Sequence, residues 1–320
     1  MLHICTYFDA NYLHRGIALY QSIVRRSGEH FTFWILCFDQ RTYDILAELN
    51  LPHVRLIHWE DFEAGDKELQ GAKTNRSRVE YYWTCTPSLP LYVFQNSSHI
   101  QQIIYVDADF YFFASPGTIR EIGDRGSILI IPHDYSPEYA LHNHAGKYNV
   151  GLMMFRADEN GLSCLKWWRD RCIEWCYWRH EDNKIGDQGY LNDWPERFQR
   201  VVVSDHVGLN AAPWNISKYE LSLDHQGRVF IAGQPLVCYH FHACHFCTSR
   251  LAFLSGYQVH LSSICLSSVY RPYLNNLLAI ERELTRRGFK ISMLRPGIPW
   301  RYILGLITKR RSIRNFMWVR

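Results

Sequence analysis

Asp107-Ala108-Asp109 lies directly behind the apolar run Ile103-Ile104-Tyr105-Val106 and ahead of the aromatic run Phe110-Tyr111-Phe112-Phe113. Carboxylates spaced i and i+2 point the same way if the chain stays extended, so both can reach one cation from the carboxyl end of a buried strand. In an open α/β sheet that end is where ligands bind. Two acidic oxygen ligands without a full cage suit Mn²⁺ or Mg²⁺ that also holds substrate phosphates. A bare Asp-x-Asp is equally at home in a solvated turn, so the rest of the chain has to decide.

Three other segments have matching character. Tyr148-Asn149-Val150-Gly151 opens an apolar strand with an amide and with a glycine that lets a ligand approach the backbone. Gly186-Asp187-Gln188-Gly189-Tyr190-Leu191-Asn192 puts a carboxylate and an amide at the start of a helix, where backbone N–H groups lack partners. Leu236-Val237-Cys238-Tyr239-His240-Phe241-His242 ends a strand in imidazoles able to complete a metal shell. Cys244-x-x-Cys247 supplies half of a structural zinc site, and no second Cys-x-x-Cys exists to partner it. His133, His142 and His144, with Asp134, Tyr135 and Tyr139, form either a solvated loop or an acceptor-side lid.

The elements that must position these groups read as strands alternating with helices, which argues for βαβ units and a mostly parallel sheet. Strands are expected at Leu2–Thr6, Phe31–Phe38, Val54–His58, Ile103–Val106, Ser127–Pro132, Asn149–Phe155, Val201–Val203 and Leu236–His240. Helices are expected over 12–26, over 77–95 with interruptions at Pro87 and Pro90, over 161–179, from Gly186 to Asn192, and over 271–287. For the helix carrying Trp167, Trp168, Trp175 and Trp178, the helical, apolar spacing favours core packing over sugar stacking.

At 47% hydrophobic and 21% charged residues the chain is globular, and a net charge of +4 is too small to argue for nucleic acid. The basicity is local: no acidic residue follows Glu283, whereas ten Lys and Arg do. Met1 runs straight into the first strand with no secretory pattern, and no apolar stretch approaches the ~20 residues of a spanning helix. The expected setting is therefore cytoplasmic, with the ten cysteines as reduced thiols.

Order and character together resemble the nucleotide-sugar glycosyltransferases with the GT-A fold, most closely the retaining branch of glycogenin and the bacterial lipooligosaccharide galactosyltransferases. The resemblance runs from residue 1 to about residue 245 and rests on four motifs: Tyr105 to Asp109; Tyr148, Asn149 and Gly151; Asp187, Gln188, Leu191 and Asn192; and His240 with Phe241. It implies a GT-A Rossmann-like mixed, mostly parallel sheet with helices on both faces. It also implies a metal-dependent transfer of a sugar from a nucleotide-diphosphate donor, UDP-sugar favoured, to a glycan or lipid-linked glycan, with retention, in polysaccharide biosynthesis. By the same resemblance Asp107, Asp109 and His240 hold Mn²⁺ or Mg²⁺, Asp107 also meets the ribose, Asp187 binds the donor sugar, and Gln188 lies near the anomeric carbon. Thr6, Tyr7 and Asp9 are suited to the nucleobase and ribose, with Asn149 and Gly151 also on the donor side. The branch's Gly and diphosphate-clamping Lys after the histidine are replaced by Ala243 and Phe246, so the clamp falls to Arg250, Lys73, Arg76 or Arg78.

The expected organisation is a catalytic domain over 1–290 and a basic, aromatic tail over 291–320. In the tail Trp300, Phe316 and Trp318 alternate with cations, which fits attachment to an anionic membrane surface rather than a span. Its apolar residues read as too interrupted to form a buried strand. A GT-A-like nucleotidyltransferase would share the carboxylates and sheet, but Cys5-Thr6-Tyr7-Phe8-Asp9 lacks its Gly-rich phosphate loop. A nucleic-acid-binding or nucleotide-binding module would leave the ordered acidic motifs without a purpose.

Overall fold

The computed structural model of the protein describes residues 1–139, 145–182, 184–257, 259–293 and 315–319. His142, His144 and residues 296–314 of the tail lie outside the described residues.

The chain begins with β1 (Leu2–Phe8), α1 (Leu13–Arg26), β2 (Phe31–Cys37), α2 (Gln40–Leu49) and β3 (Val54–His58). It continues through α3 (Trp59–Ala64), α4 (Lys67–Lys73), α5 (Arg78–Cys85), α6 (Ser88–Asn96), β4 (Gln102–Val106) and β5 (Phe110–Phe112). Next come α7 (Gly117–Gly123), β6 (Ile128–Pro132), β7 (Tyr148–Arg156), α8 (Glu159–Glu174), α9 (Trp194–Arg197) and β8 (Val201–Val203). The remainder is β9 (Leu221–Leu223), β10 (Val229–Ile231), β11 (Gln234–Pro235), β12 (Cys238–His240), β13 (His245–Phe246), β14 (Leu251–Phe253), α10 (Arg271–Arg286) and β15 (Phe316–Trp318).

Local chemistry sets the boundaries. Asp39 caps α2 by accepting from the Thr42 N–H at 2.7 Å, and Asn50 closes it in the left-handed region at φ 44°. Ser77 and Glu80 form a reciprocal capping box at the start of α5. The single helix expected over 77–95 is two, because the chain breaks at Pro87; Pro90 then falls in the first turn of α6, where its missing N–H has no intrahelical partner to lose. The Trp-rich helix stops at Glu174, as Trp175 takes an extended conformation. The helix expected from Gly186 is a turn followed by a short 3₁₀ segment, Gly189–Asp193.

The chain divides into two compact units. The first comprises Met1–Asp9, Ser27–Ala108 and Ser115–His206. Its seven-stranded sheet has the order β3-β2-β1-β4-β7-β6-β8, parallel except where β7 runs against β4 and β6. Adjacent residues of a strand face opposite sides. Met153 joins the core with Leu89, Leu165 and Trp168 from α6 and α8, while Met154 meets α7, where the Cβ position of Gly123 lies 2.4 Å from its sulfur. Helices thus cover both faces of this sheet, in the mixed, mostly parallel arrangement expected.

The second unit comprises Ala10–Arg26, Asp109–Ala114 and Val207–Arg320. Here α1 packs on β5 and α10 through polar bonds. The Phe112 N–H donates to Ser22 Oγ at 3.0 Å, Arg25 reaches the Tyr111 hydroxyl at 2.7 Å, and His14 meets Glu281 at 2.8 Å. The unit also holds the β5–β12 ladder, the β9–β10–β11 sheet and an antiparallel β13–β14–β15 sheet. That last sheet corrects one expectation. Phe316–Trp318 does form a strand, paired with Leu251–Phe253, with Met317 and Val319 buried and Trp318 turned outward, so a period of two is enough to make it. Among the described residues no helix is long and apolar enough to cross a membrane.

Candidate functional site

Asp107 follows β4 directly, and its N–H donates to the Gly151 carbonyl at 2.8 Å, extending the β4–β7 ladder by one bond. The Tyr105 hydroxyl donates to Asp107 Oδ1 at 2.7 Å. Ala108 and Asp109 form a turn rather than the extended chain expected. On β7, Asn149 is buried and bonded at both ends of its amide, accepting from the Gly151 N–H at 2.7 Å and meeting His133 Nε2 at 3.1 Å. His133 Nδ1 lies 2.9 Å from the Gly146 carbonyl, so Asn149 is linked through His133 to Gly146.

Asp187 is buried in the turn after α8, where Gly186 sits at φ 49°, a conformation that favours glycine. Trp168 Nε1 donates to the Asp187 carbonyl at 2.8 Å. The carboxylate accepts from the Thr86 hydroxyl, which also lies 3.0 Å from the Tyr7 hydroxyl, while its Oδ2 is buried with no hydrogen-bond partner among the described residues. Burial pushes the Asp187 carboxyl up to about 7, the Thr86 bond works against that, and the charge of Asp107 adds to it. Burial likewise pushes the Tyr7 hydroxyl well up, with Asp107 and Asp187 adding to it. Gln188 follows, half-buried.

Nearby in the first unit, Phe38 and Tyr82 stack at 4.0 Å and Tyr7 packs against both. The Tyr82 hydroxyl donates to Asp9 Oδ2 at 3.3 Å, and the exposed Arg78 approaches the same oxygen at 3.9 Å. Thr6 is fully buried, its hydroxyl lacking a partner among the described residues. The other expected cations differ. Lys73 bonds both oxygens of Glu63 at 2.8 Å, and Arg76 lies over the Tyr177 ring at 3.9 Å and donates to its hydroxyl and to the Ile173 carbonyl. Both are occupied in fastening helices and loops, and of the basic candidates in this unit only Arg78 stands beside Asp9.

In the second unit the β5–β12 register sets His240 opposite Phe110, whose ring stacks on the imidazole at 4.3 Å. The Phe241 N–H donates to the Asp109 carbonyl at 2.9 Å, and His240 Nε2 lies 3.1 Å from Asp109 Oδ1. Burial alone would raise the Asp109 carboxyl, but His240 and Arg15 hold it well below the usual carboxylate range. Arg15 is a buried cation that sequence reasoning missed, since on α1 it reads as one more polar helix residue. It donates to the Cys244 carbonyl at 2.7 Å and lies over the Tyr12 ring. Ala243 adopts φ 61°, which suits the glycine of the resembling branch and costs a residue with a Cβ about 1–2 kcal/mol. Arg250 is exposed in the loop ahead of β14.

Within the second unit, Asp109 Oδ1 and His240 Nε2 lie close enough to bind one cation together. Bonds of about 2.1 Å to a hexacoordinate cation put adjacent ligands about 3 Å apart, which the Asp109–His240 separation of 3.1 Å matches. A carboxylate oxygen and an imidazole can serve Mn²⁺ and leave positions for phosphate oxygens. Among the described residues, Cys244 and Cys247 belong to no cluster of three or more such ligands, and burial pushes the Cys244 thiol up to about 12.

No protein-family model matches the sequence. The chain is 31% identical over 245 residues to the uncharacterized protein YfnF of Bacillus subtilis (strain 168), spanning 74% of this chain and 80% of that protein. It is 28% identical over 278 residues to YfnD of the same strain, spanning 86% and 88%. Among solved structures, the galactosyltransferase LgtC in complex with donor and acceptor sugar analogs superposes with a TM-score of 0.54 at 14% identity, over 87% of this chain and 96% of that one. The fold is therefore of the GT-A, Rossmann-like type.

Proposed function

This chain belongs to one family with the uncharacterized proteins YfnF and YfnD of Bacillus subtilis, and we propose that it is a metal-dependent glycosyltransferase. It moves a sugar from a nucleotide-diphosphate donor, UDP-sugar favoured, to a glycan or lipid-linked glycan in cell-surface polysaccharide synthesis. The observation that carries this reading is the buried Asp109–His240 pair, 3.1 Å apart in the second unit, in a chain whose first unit has a GT-A-type sheet and the buried carboxylate of Asp187.

Breaking a sugar–phosphate bond builds negative charge on the leaving diphosphate and positive charge on the sugar. A divalent cation held by Asp107, Asp109 and His240 would stabilise the leaving diphosphate as a Lewis acid. Tyr105 fixes one oxygen of Asp107, so that carboxylate is oriented before ligands arrive. Asp187, whose buried Oδ2 has no hydrogen-bond partner among the described residues, would take a hydroxyl of the donor sugar in this reading. Gln188, the next residue, would offer its amide oxygen to the developing oxocarbenium ion. No strong nucleophile is then required, which supports front-side displacement with retention.

Thr6, Tyr7 and Asp9 hold the nucleobase and ribose in this reading, and Asn149 and Gly151 shape the strand end beside Asp107. Arg78 and Arg250 are the cations open to phosphate. The basic run between Arg295 and Arg314, without an acidic residue after Glu283, supports peripheral attachment to an anionic membrane face.

The test is a screen of the purified full-length chain with Mn²⁺ against UDP-, GDP- and CDP-sugars. One donor class should be hydrolysed, and its nucleoside diphosphate with Mn²⁺ should raise the melting temperature by mass action. The absence of both hydrolysis and a thermal shift with all of them would overturn the reading.

A further inference from the structure

Of the tryptophans in the first unit, Trp178 stands apart: it is 73% exposed yet held in place. Its ring stacks on Trp83 with centroids 4.9 Å apart and planes 27° from parallel. Its backbone N–H donates to Glu80 Oε1 at 2.8 Å, and the other oxygen of Glu80 is fixed by the Ser77 N–H at 2.8 Å in the capping box of α5. One face of the indole thus lies against Trp83 while the residue as a whole stays largely exposed. The far side of the stack is tied to the catalytic turn, because the Cβ position of Gly186 lies 3.3 Å from Trp83 Cε3, and Gly186 directly precedes Asp187. Trp83, Trp178, Gly186 and Asp187 form one continuous structure: an open ring, its support, and the turn bearing the buried carboxylate.

An exposed indole held by stacking and by a backbone bond has lost its rotamer freedom before any ligand arrives, so binding on it incurs little further ordering cost. Its open face carries negative quadrupole charge, which attracts the weakly positive C–H bonds on the apolar side of a pyranose ring. A nucleobase would also stack on such a face. The polar groups suited to a ribose and nucleobase, however, gather around Tyr7, Asp9, Arg78 and Tyr82, and the turn behind Trp83 leads to the carboxylate assigned to the sugar. Building on the glycosyl-transfer reading, we propose that the Trp83–Trp178 stack is the platform on which a pyranose ring of the acceptor glycan lies, and that Trp178 sets acceptor affinity.

The experiment uses saturation-transfer NMR on the full-length chain with methyl β-galactoside, methyl α-glucoside, methyl α-mannoside and N-acetylglucosamine as probes. Transfer to the C–H protons of at least one pyranoside is expected in the wild type. It should fall at least fivefold in Trp178→Ala and be largely restored in Trp178→Phe, which keeps an aromatic face. A melting temperature of Trp178→Ala within a degree or two of wild type would show that the loss is local. Transfer to none of the four probes, or equal transfer in wild type and Trp178→Ala, would overturn the platform. Either failure is distinct from failure of the glycosyl-transfer reading, whose donor hydrolysis and diphosphate thermal shift are measured without any acceptor.

Discussion

Replacing Asp187 by asparagine should make the protein more stable at pH 8 while leaving it almost unchanged near pH 4. Burial raises the Asp187 carboxyl from 3.8 to about 7 in the folded state, with Asp107 adding to the shift and Thr86 opposing it. The folded state therefore binds a proton that the unfolded chain has released. Its contribution to stability is complete below the unfolded value and is lost as pH rises through about 7. Each tenfold change in proton affinity is worth about 1.4 kcal/mol, so the loss approaches about 4 kcal/mol by pH 8. Asparagine has the same shape, can accept from Thr86, and carries no charge at any pH. The difference in urea unfolding free energy between Asp187→Asn and wild type should thus grow from near zero at pH 4 to a few kcal/mol at pH 8, with most of the rise between pH 5 and 8. Donor turnover should be lost at the same time. A difference that stays flat with pH, or a variant less stable than wild type at pH 8, would show that the ionised carboxylate is well accommodated and would refute the reasoning.

Asp109→Ala should abolish donor hydrolysis with Mn²⁺ present, and His240→Ala should reduce it less completely; circular dichroism should show both folded, and wild-type turnover in Asp109→Ala would remove the metal assignment. A chain ending at Arg314 loses β15, the burial of Met317 and Val319, and the Asn315 bond to the Ser255 carbonyl. At about 1.5–3 kcal/mol for each fully buried side chain, its second unit should be destabilised by about 3 kcal/mol or more in denaturant titration. Because that chain keeps the cations up to Arg314, it should still sediment with anionic vesicles at low salt, and loss of binding would assign attachment to the strand instead.

The parallel half of the large sheet is legible because β1, β2, β3 and β4 are apolar runs closed off by polar turns. So is the strand end at Asp107, since a carboxylate after four apolar residues marks where burial stops. The smaller pieces escape: β9 and β10 have three residues each, too few to show a period, and α3 and α4 owe their existence to the caps of His58 and Asp66. At the site, spacing can bring Asp109 to the end of one strand and His240 to the end of another. That they meet at 3.1 Å depends on β5 turning back to pair with β12, a long-range contact that only the family resemblance implied. Lys73 and Arg76, expected as clamp cations, show what a sequence leaves out. A charge in a promising segment gives no sign that Glu63 or the Tyr177 ring already holds it.

All ten cysteines are free and buried, and this makes the folded state its own record of having stayed folded. A buried thiol is shielded from alkylating reagents, whereas the same thiol in an opened chain ionises near pH 8.5 and reacts. Pulsed alkylation followed by mass spectrometry would therefore read opening region by region. Cys5, Cys37, Cys85, Cys164, Cys172 and Cys176 report on the first unit, and Cys238, Cys244, Cys247 and Cys265 on the second. The same chemistry makes unfolding in air hard to reverse, since ten newly exposed thiols can cross-link in many wrong pairings before the core re-forms. Without a reductant, the useful lifetime of the protein is set by how often it opens rather than by how stable it is at equilibrium.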